Sequence, residues 1–219
     1  MQTLLAIDTA TECCSAALWV NGKLYHRSSI QPRKHAELIL PFIDELLLEA
    51  KINKTDIQGL VVGQGPGAFT GVRIAVGVAQ GIALALDIPV VAVSNLQTLA
   101  FTAYQHLNTD KTQTILVATD ARMNEVYSAK YAIQGHNIEQ LSKEKVSSAT
   151  EVDLSASDAY IGSGFHVYPV LQNHAQNQPM AYETSVYSQA KDMLLMVKEG
   201  FEKLSDSIDN LEPVYLREP

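Results

Sequence analysis

Apolar positions in the first thirty residues fall in short blocks that read as strands. Residues 3–7 form an apolar run ending at Asp8, and residues 15–20 form a second, joined through Asn21-Gly22 to a third at about 24–30. Asn-Gly between alternating segments is a strong hairpin signal, because both residues tolerate the positive φ that a tight turn between twisted strands requires. The period then changes. Over residues 34–50, Ile39, Phe42, Ile43, Leu46 and Leu47 recur at helical spacing and define an inner stripe. Pro41 falls inside that helix and predicts a kink. Pro41 and Leu48 lie on the opposite side of the helical wheel, an apolar surface with no obvious place in the chain's own core. Such a surface can meet a partner.

Residues 59–86 are the most informative stretch. Leu60, Val61 and Val62 read as a strand covered on both faces. Gly63, Gly65, Gly67 and Gly71 then surround Pro66, and four glycines in nine residues imply positive φ or a backbone that something approaches closely. Thr70 stands where it can cap the helix that follows, whose free amides make the loop a possible anion site. From Val72 to Leu86 only Arg73 and Gln80 are polar. Gly77 and Gly81 form one four-spaced row and Ala75, Ala79 and Ala83 a second. The helix is either buried all round, or packed on its own sheet by one face and on another protein by the other. Its apolar run of about fifteen residues falls short of the roughly twenty that a bilayer needs.

After a parallel strand at 90–93 and a helix at 96–107, the polar segment 108–113 crosses to a second half that begins the pattern again. Residues 115–119 form a strand ending in Asp120, 126–132 the next, and Gln134-Gly135 turns into 137–141. Asp8 to Gly22 is fourteen residues and Asp120 to Gly135 fifteen. Tyr160-Ile161-Gly162-Ser163-Gly164 repeats the strand-into-glycine ending of Val61-Val62-Gly63-Gln64-Gly65, and a helix is predicted over 188–203. These spacings predict a duplicated α/β unit, divided as 1–107 and 108–219. The second copy is degraded, because residues 147–158 lack the apolar period of the first helix. The tail from Leu211 reads as an extended segment docked on something.

Composition narrows the reading. With 219 residues and 47% hydrophobic content the chain can bury a substantial core, as one bilobed domain or two small ones. A formal charge of −8 argues against a surface built to neutralise phosphate backbones, so any nucleic-acid role is indirect. Cys13 and Cys14 are adjacent, a spacing that suits neither an unstrained bridge nor a zinc site. The N-terminus has no basic region before its first strand, and a cytoplasmic location with no membrane partner is the expectation.

Templates for chemistry mostly fail. No lysine lies between Gly59 and Leu86, and the glycine spacing is not G-x-G-x-x-G. Arg73 is the one cation there that can meet a phosphate. Asp8 and Asp120 each end a strand at a hairpin, where two facing lobes can hold a metal-nucleotide, or where an aspartate simply caps a turn. Thr9 and Ala10 stand where a phosphotransferase would need glycine. His35 opens the first helix, but the position four residues on is Ile39, so no histidine pair forms. Ser163 lacks the outer glycines of a nucleophile elbow. Asp120-Ala121-Arg122 with Glu125 and Tyr127 reads as an internally paired turn, or alternatively as a binding cluster.

Ile7–Thr11 as IDTAT, His35–Pro41 as HAELILP, Gly65–Gly81 as GPGAFTGVRIAVGVAQG, Asp120–Tyr127 as DARMNEVY, and the terminal Pro-Val-Tyr-Leu-Arg closely resemble the TsaB (YeaZ) family of bacterial threonylcarbamoyladenosine biosynthesis subunits. The resemblance covers nearly the whole chain. It implies a two-lobed fold of the actin-like ATPase superfamily, shared with sugar kinases and heat-shock ATPases, and a non-catalytic scaffold role with no cofactor or metal. It implies pairing with the catalytic paralogue TsaD, which transfers threonylcarbamoyl to adenosine 37 of certain tRNAs, together with an ATPase subunit, TsaE. A homodimer is expected when the paralogue is absent. The paralogue holds a metal through a histidine pair, and Ile39 in place of the second member means that its catalytic residues do not carry over. The pairing surface implied is the first lobe's two helices, with His35, Leu38, Pro41, Leu48, Arg73, Gly77 and Gly81. The competing expectations are an ATP-dependent phosphotransferase and a metal-dependent hydrolase or peptidase.

Overall fold

A computed structural model describes residues 2–176 and 187–217. The first sheet is built from β1 (Leu4–Asp8), β2 (Cys13–Val20), β3 (Lys23–Ile30), β4 (Gly59–Gly63) and β5 (Val90–Val93), in the order β3-β2-β1-β4-β5. β1 runs antiparallel to β2, with Ile7 opposite Ala16, and parallel to β4, with Ile7 opposite Val62. Asn21 and Gly22 take φ of 53° and 77° in the hairpin, as their side chains allow. Two helices, α1 (His35–Ala50) and α2 (Phe69–Leu86), join β3 to β4 and β4 to β5. Ile39, Ile43, Leu46 and Leu47 of α1 and Val72, Ala75, Val76, Ala79 and Ala83 of α2 bury against Leu5, Ile7, Leu18, Leu60 and Val62, so both helices cover one face of this sheet.

A second sheet follows α3 (Asn95–Leu107). Its strands are β6 (Gln113–Arg122), β7 (Glu125–Gln134), β8 (Asn137–Gln140), β9 (Lys145–Ser148) and β10 (Ala159–Ile161), in the order β10-β6-β7-β8, with β9 also on β7. β10 is parallel to β6 and β7 antiparallel to it, so β10-β6-β7-β8 repeats β4-β1-β2-β3. This is the duplicated actin-like arrangement. Where the first copy has α1, the second has only β9 and a 3-10 turn at Ala149–Glu151. Leu96, Leu99, Ala100 and Tyr104 of α3 pack on one face, against Ile115, Val117 and Tyr131. Phe165 of α4 (Gly164–Val167) and Leu171 of α5 (Pro169–Ala175) pack on the other, against Leu116 and Val126.

The chain then returns to the first sheet. α6 (Ala190–Val197) and α7 (Phe201–Leu204) lie on the face opposite α1 and α2: the missing side chains of Gly59 and Gly63 make room for Phe201 and Met193. Leu211 is buried on the other side, in the core under α1 and α2, where its carbonyl accepts from the Gln80 amide of α2 at 3.0 Å, and the Val214 N–H donates to the Gln64 carbonyl at 2.8 Å. The compact units are therefore 1–95 with 189–214, and 96–188 with 215–219, rather than 1–107 and 108–219. The physical reason is packing: α3 has its apolar stripe on the second sheet, and α6 has its own on the first.

α1 runs as one helix through Pro41, whose unpaired partner carbonyl, that of Glu37, sits in the exposed first turn. Two local expectations are corrected. α2 begins at Phe69 after Ala68, so Thr70 is an exposed first-turn residue and caps nothing. The helix expected over 188–203 breaks between Val197 and Phe201, where Gly200 opens α7.

The Asp8 turn and the exposed face of the first two helices

β1 delivers Asp8 into a turn through Thr9 and Ala10, all three buried. Both carboxylate oxygens of Asp8 accept from the Asn95 amide at 3.0 Å, and Oδ1 also accepts from the Ala10 N–H at 3.0 Å. Asn95 is held in turn by Gly65, whose N–H donates to its Oδ1 at 2.8 Å and whose carbonyl accepts its N–H at 3.0 Å. The glycine loop closes on this turn. The Ala68 N–H donates to the Ala10 carbonyl at 2.7 Å, and the Thr9 hydroxyl donates to the Gly71 carbonyl at 2.6 Å. A Cβ at Gly67 would stand 2.9 Å from that of Ala10, and one at Gly71 would run into the Thr9 carbonyl. These glycines admit the chain's own backbone.

The turn does not fit a bound phosphate. The N–H groups of Ala10, Gly65 and Ala68, which a phosphate cradle would present, are engaged inside the protein. The Asp8 carboxylate that would face a cation is held by Asn95. Cys13 and Cys14 lie buried nearby; burial first, and then the Asp8 charge, push both thiols up to about 12. Thiols so protonated are poor nucleophiles and poor ligands. Among the described residues no three His, Cys, Asp or Glu side chains gather to hold a metal.

Asp120 ends in a different set of contacts. Its Oδ1 accepts from the Tyr168 hydroxyl at 2.7 Å and the Arg122 N–H at 2.8 Å, and the Arg122 guanidinium lies 3.0 Å from Oδ2. Burial, and then the bond to Asp120, push the Tyr168 phenol up to about 12. Glu125 is paired with Arg217, whose guanidinium also donates to the Ala121 carbonyl at 3.1 Å. The cluster is thus internally paired, while Tyr127 packs partly buried near α3.

The helix residues expected to meet a partner divide into two groups. Pro41, Leu48, Arg73, Gly77 and Gly81 are exposed, Leu48 to 80%. Leu38 is half-buried against the core. His35 is corrected: at 8% exposure it is buried at the start of α1, with its carbonyl 4.0 Å from the Cys14 sulfur, and cannot belong to an exposed face. A Cβ at Gly77 or Gly81 would meet nothing within 4 Å, so neither glycine is needed by this chain's own packing. Arg73 stacks on Phe69, its guanidinium carbon 3.5 Å from the ring centre. Leu40, Phe69 and Leu84, the last 77% exposed, join the apolar surface and escaped the sequence reading. Their signal was present in the helical spacing of Leu84 after Gly77 and Gly81. Asn95 and Arg217 also went unnoticed, and could not have been found, since their partners lie 87 and 92 residues away.

α2 is long and apolar enough, by length and composition, to cross a membrane. Its inner side, however, packs on a sheet in the manner of a core helix. At 1.5 Å per residue its 18 residues span about 27 Å, just under the roughly 30 Å of a bilayer core.

Residues 28–204 match the family model of TsaD, tRNA N6-adenosine threonylcarbamoyltransferase. The chain is 37% identical to the tRNA threonylcarbamoyladenosine biosynthesis protein TsaB of Escherichia coli K12, over 98% of this chain and 94% of that protein. It is 33% identical to the TsaB of Haemophilus influenzae, over 98% and 93%. The solved structure of YeaZ from Pseudomonas aeruginosa superposes with a TM-score of 0.85 at 34% identity, covering 99% of this chain and all of that one. A second structure from that organism, described as similar to peptidase YEAZ, gives 0.85 at 36% identity, with the same coverage.

Proposed function

The chain belongs to the TsaB (YeaZ) family, and on that premise we propose that it is a non-catalytic partner subunit in tRNA threonylcarbamoyladenosine biosynthesis, pairing with a TsaD-type catalytic paralogue. The observation that carries the proposal is the outer face of α1 and α2. Two adjacent helices about 25 Å long and each about 10 Å across present roughly 500 Å², more than half of the roughly 800 Å² that one side of a standard interface buries, so neighbouring surface must contribute the rest. The face carries Pro41, Leu48, Leu84 and two glycines with open space before them. Arg27 engages Glu45 and Glu49 of α1 at 2.9 and 2.7 Å, which reduces the negative charge at its margin. A paralogue with the same ancestral helices can present a matching face in a pseudo-twofold arrangement. Self-pairing uses the same patch, so homodimer and heterodimer compete.

The engaged Asp8 carboxylate and the turn that fills the glycine loop support a role without turnover. They speak against the phosphotransferase reading. The same proposal includes a TsaE-type ATPase as third subunit, a cytoplasmic setting, and tRNA held by another chain, the last in keeping with the charge of −8.

The test replaces residues that the fold does not need. Leu48→Asp should leave the melting temperature nearly unchanged, Gly77→Leu and Gly81→Leu should not lower it, and all three should weaken pairing with the paralogue by about tenfold or more. Sedimentation of mixed samples measures both forms of pairing. Full-strength pairing by all three variants would remove this face from the proposal. Threonylcarbamoyl transfer by the isolated chain would remove the non-catalytic role.

A further inference from the structure

Two motifs remain unused by this function, residues 120–127 and the terminal Pro-Val-Tyr-Leu-Arg, and they meet at the tip of the β6–β7 hairpin. Arg122, Met123 and Asn124 have φ of 65°, 56° and 63°. Three successive non-glycine residues in the left-handed region persist only where their surroundings over-determine them. Here Arg217 bonds to Ala121 and Glu125, and reaches the Met123 sulfur at 3.7 Å from 94 residues away. The Tyr168 hydroxyl donates to Asp120 at 2.7 Å and to the Glu125 carbonyl at 3.2 Å. The residue held at the centre, Met123, is nevertheless 80% exposed. A lone exposed methionine needs no explanation. One fixed in a braced left-handed turn does.

We propose that this tip docks into a protein partner whose apolar pocket takes the Met123 side chain and whose acidic rim faces Arg122. The thioether adapts to an apolar pocket, and a turn already rigid loses little entropy on binding. Charge selects the rim. The Arg122 side chain is 74% exposed and its partner Asp120 only 10%, so the tip shows cation and thioether outward. On a chain of net charge −8, an acid-rimmed partner is repelled by most of the surface and accepted here.

The inference rests on the assembly proposed above only for its probe, the TsaE-type ATPase, since the paralogue is assigned to α1 and α2. The full chain and its Met123→Glu, Met123→Gly and Arg217→Ala variants are titrated calorimetrically with the ATPase, the paralogue, both together, and tRNA. Met123→Glu and Met123→Gly should weaken capture of the ATPase by about tenfold or more. Met123→Gly should do so with no fall in melting temperature, because glycine relieves the left-handed backbone. Arg217→Ala should weaken capture and speed amide exchange over 120–125. Affinity for the paralogue alone stays unchanged in all three. Unchanged capture by Met123→Glu, no capture in any mixture, or an effect confined to tRNA overturns the inference. A paralogue that never pairs, beside an ATPase that still needs Met123, overturns the proposed function and leaves this one standing.

Discussion

The Asn95 side-chain amide donates to both carboxylate oxygens of Asp8, and the two residues lie 87 positions apart. The strand end that resembles a phosphotransferase aspartate is thereby a buried structural joint, tied through Asn95 to Gly65. Asp8→Ala and Asn95→Ala should each lower stability by about 2–4 kcal/mol, since each leaves a buried polar partner unsatisfied. The double variant should cost little more than either alone. Urea unfolding of the four proteins measures the coupling; simple additivity would mean that the joint is not a unit.

Gly71 and Gly77 sit six residues apart on α2 with opposite requirements. At Gly71 a methyl group collides with the Thr9 carbonyl, whereas at Gly77 it enters open space. Gly71→Ala should cost about 2 kcal/mol or more, and Gly77→Ala should add about 0.5–1 kcal/mol through helix propensity. Thermal unfolding gives the sign of each. Equal effects would contradict the packing of the loop on the Asp8 turn.

The buried thiols set a pH limit. Cys13 and Cys14 are pushed up to about 12 in the folded chain from 9.0, so above pH 9 the unfolded chain releases protons that the folded one keeps. Their contribution to stability is whole below pH 9 and disappears as pH rises toward 12, at up to about 1.4 kcal/mol per thiol per unit. A Cys13→Ala/Cys14→Ala chain should lose that slope. Native protein at pH 8 should resist iodoacetamide until it is unfolded, and rapid alkylation would disprove the burial.

Thr9 and Thr70 exchange the roles that local sequence suggests. Thr70 precedes an apolar helical run, as a cap would, yet it is exposed inside the first turn, while Thr9 donates to Gly71 at 2.6 Å from 62 residues away. Thr9→Val should cost about 1–3 kcal/mol and Thr70→Ala less than about 0.5 kcal/mol. Chemical denaturation distinguishes them.

Much of this protein was legible in order along the chain. Apolar period located β1 to β8 and α1 to α3 to within a few residues, the Asn21-Gly22 turn set the first hairpin, and the matched spacings from Asp8 and Asp120 disclosed the duplication. These features are local: side-chain periodicity and turn chemistry act over a handful of residues and leave their mark in sequence. The excess of apolar residues on α1 and α2 was visible for the same reason, since a helical wheel reports what one face cannot bury.

What only the tertiary structure decided are the long-range closures. That α3 packs with the second sheet, that α6 returns to the first, that His35 is buried while Leu48 is bare, and that Arg217 braces the turn at Met123 all depend on which surfaces meet. Side chains separated by ninety residues carry no mutual period. Their pairing is set by which sheet each helix and the returning chain cover, and that is decided by buried area and hydrogen-bond closure in three dimensions.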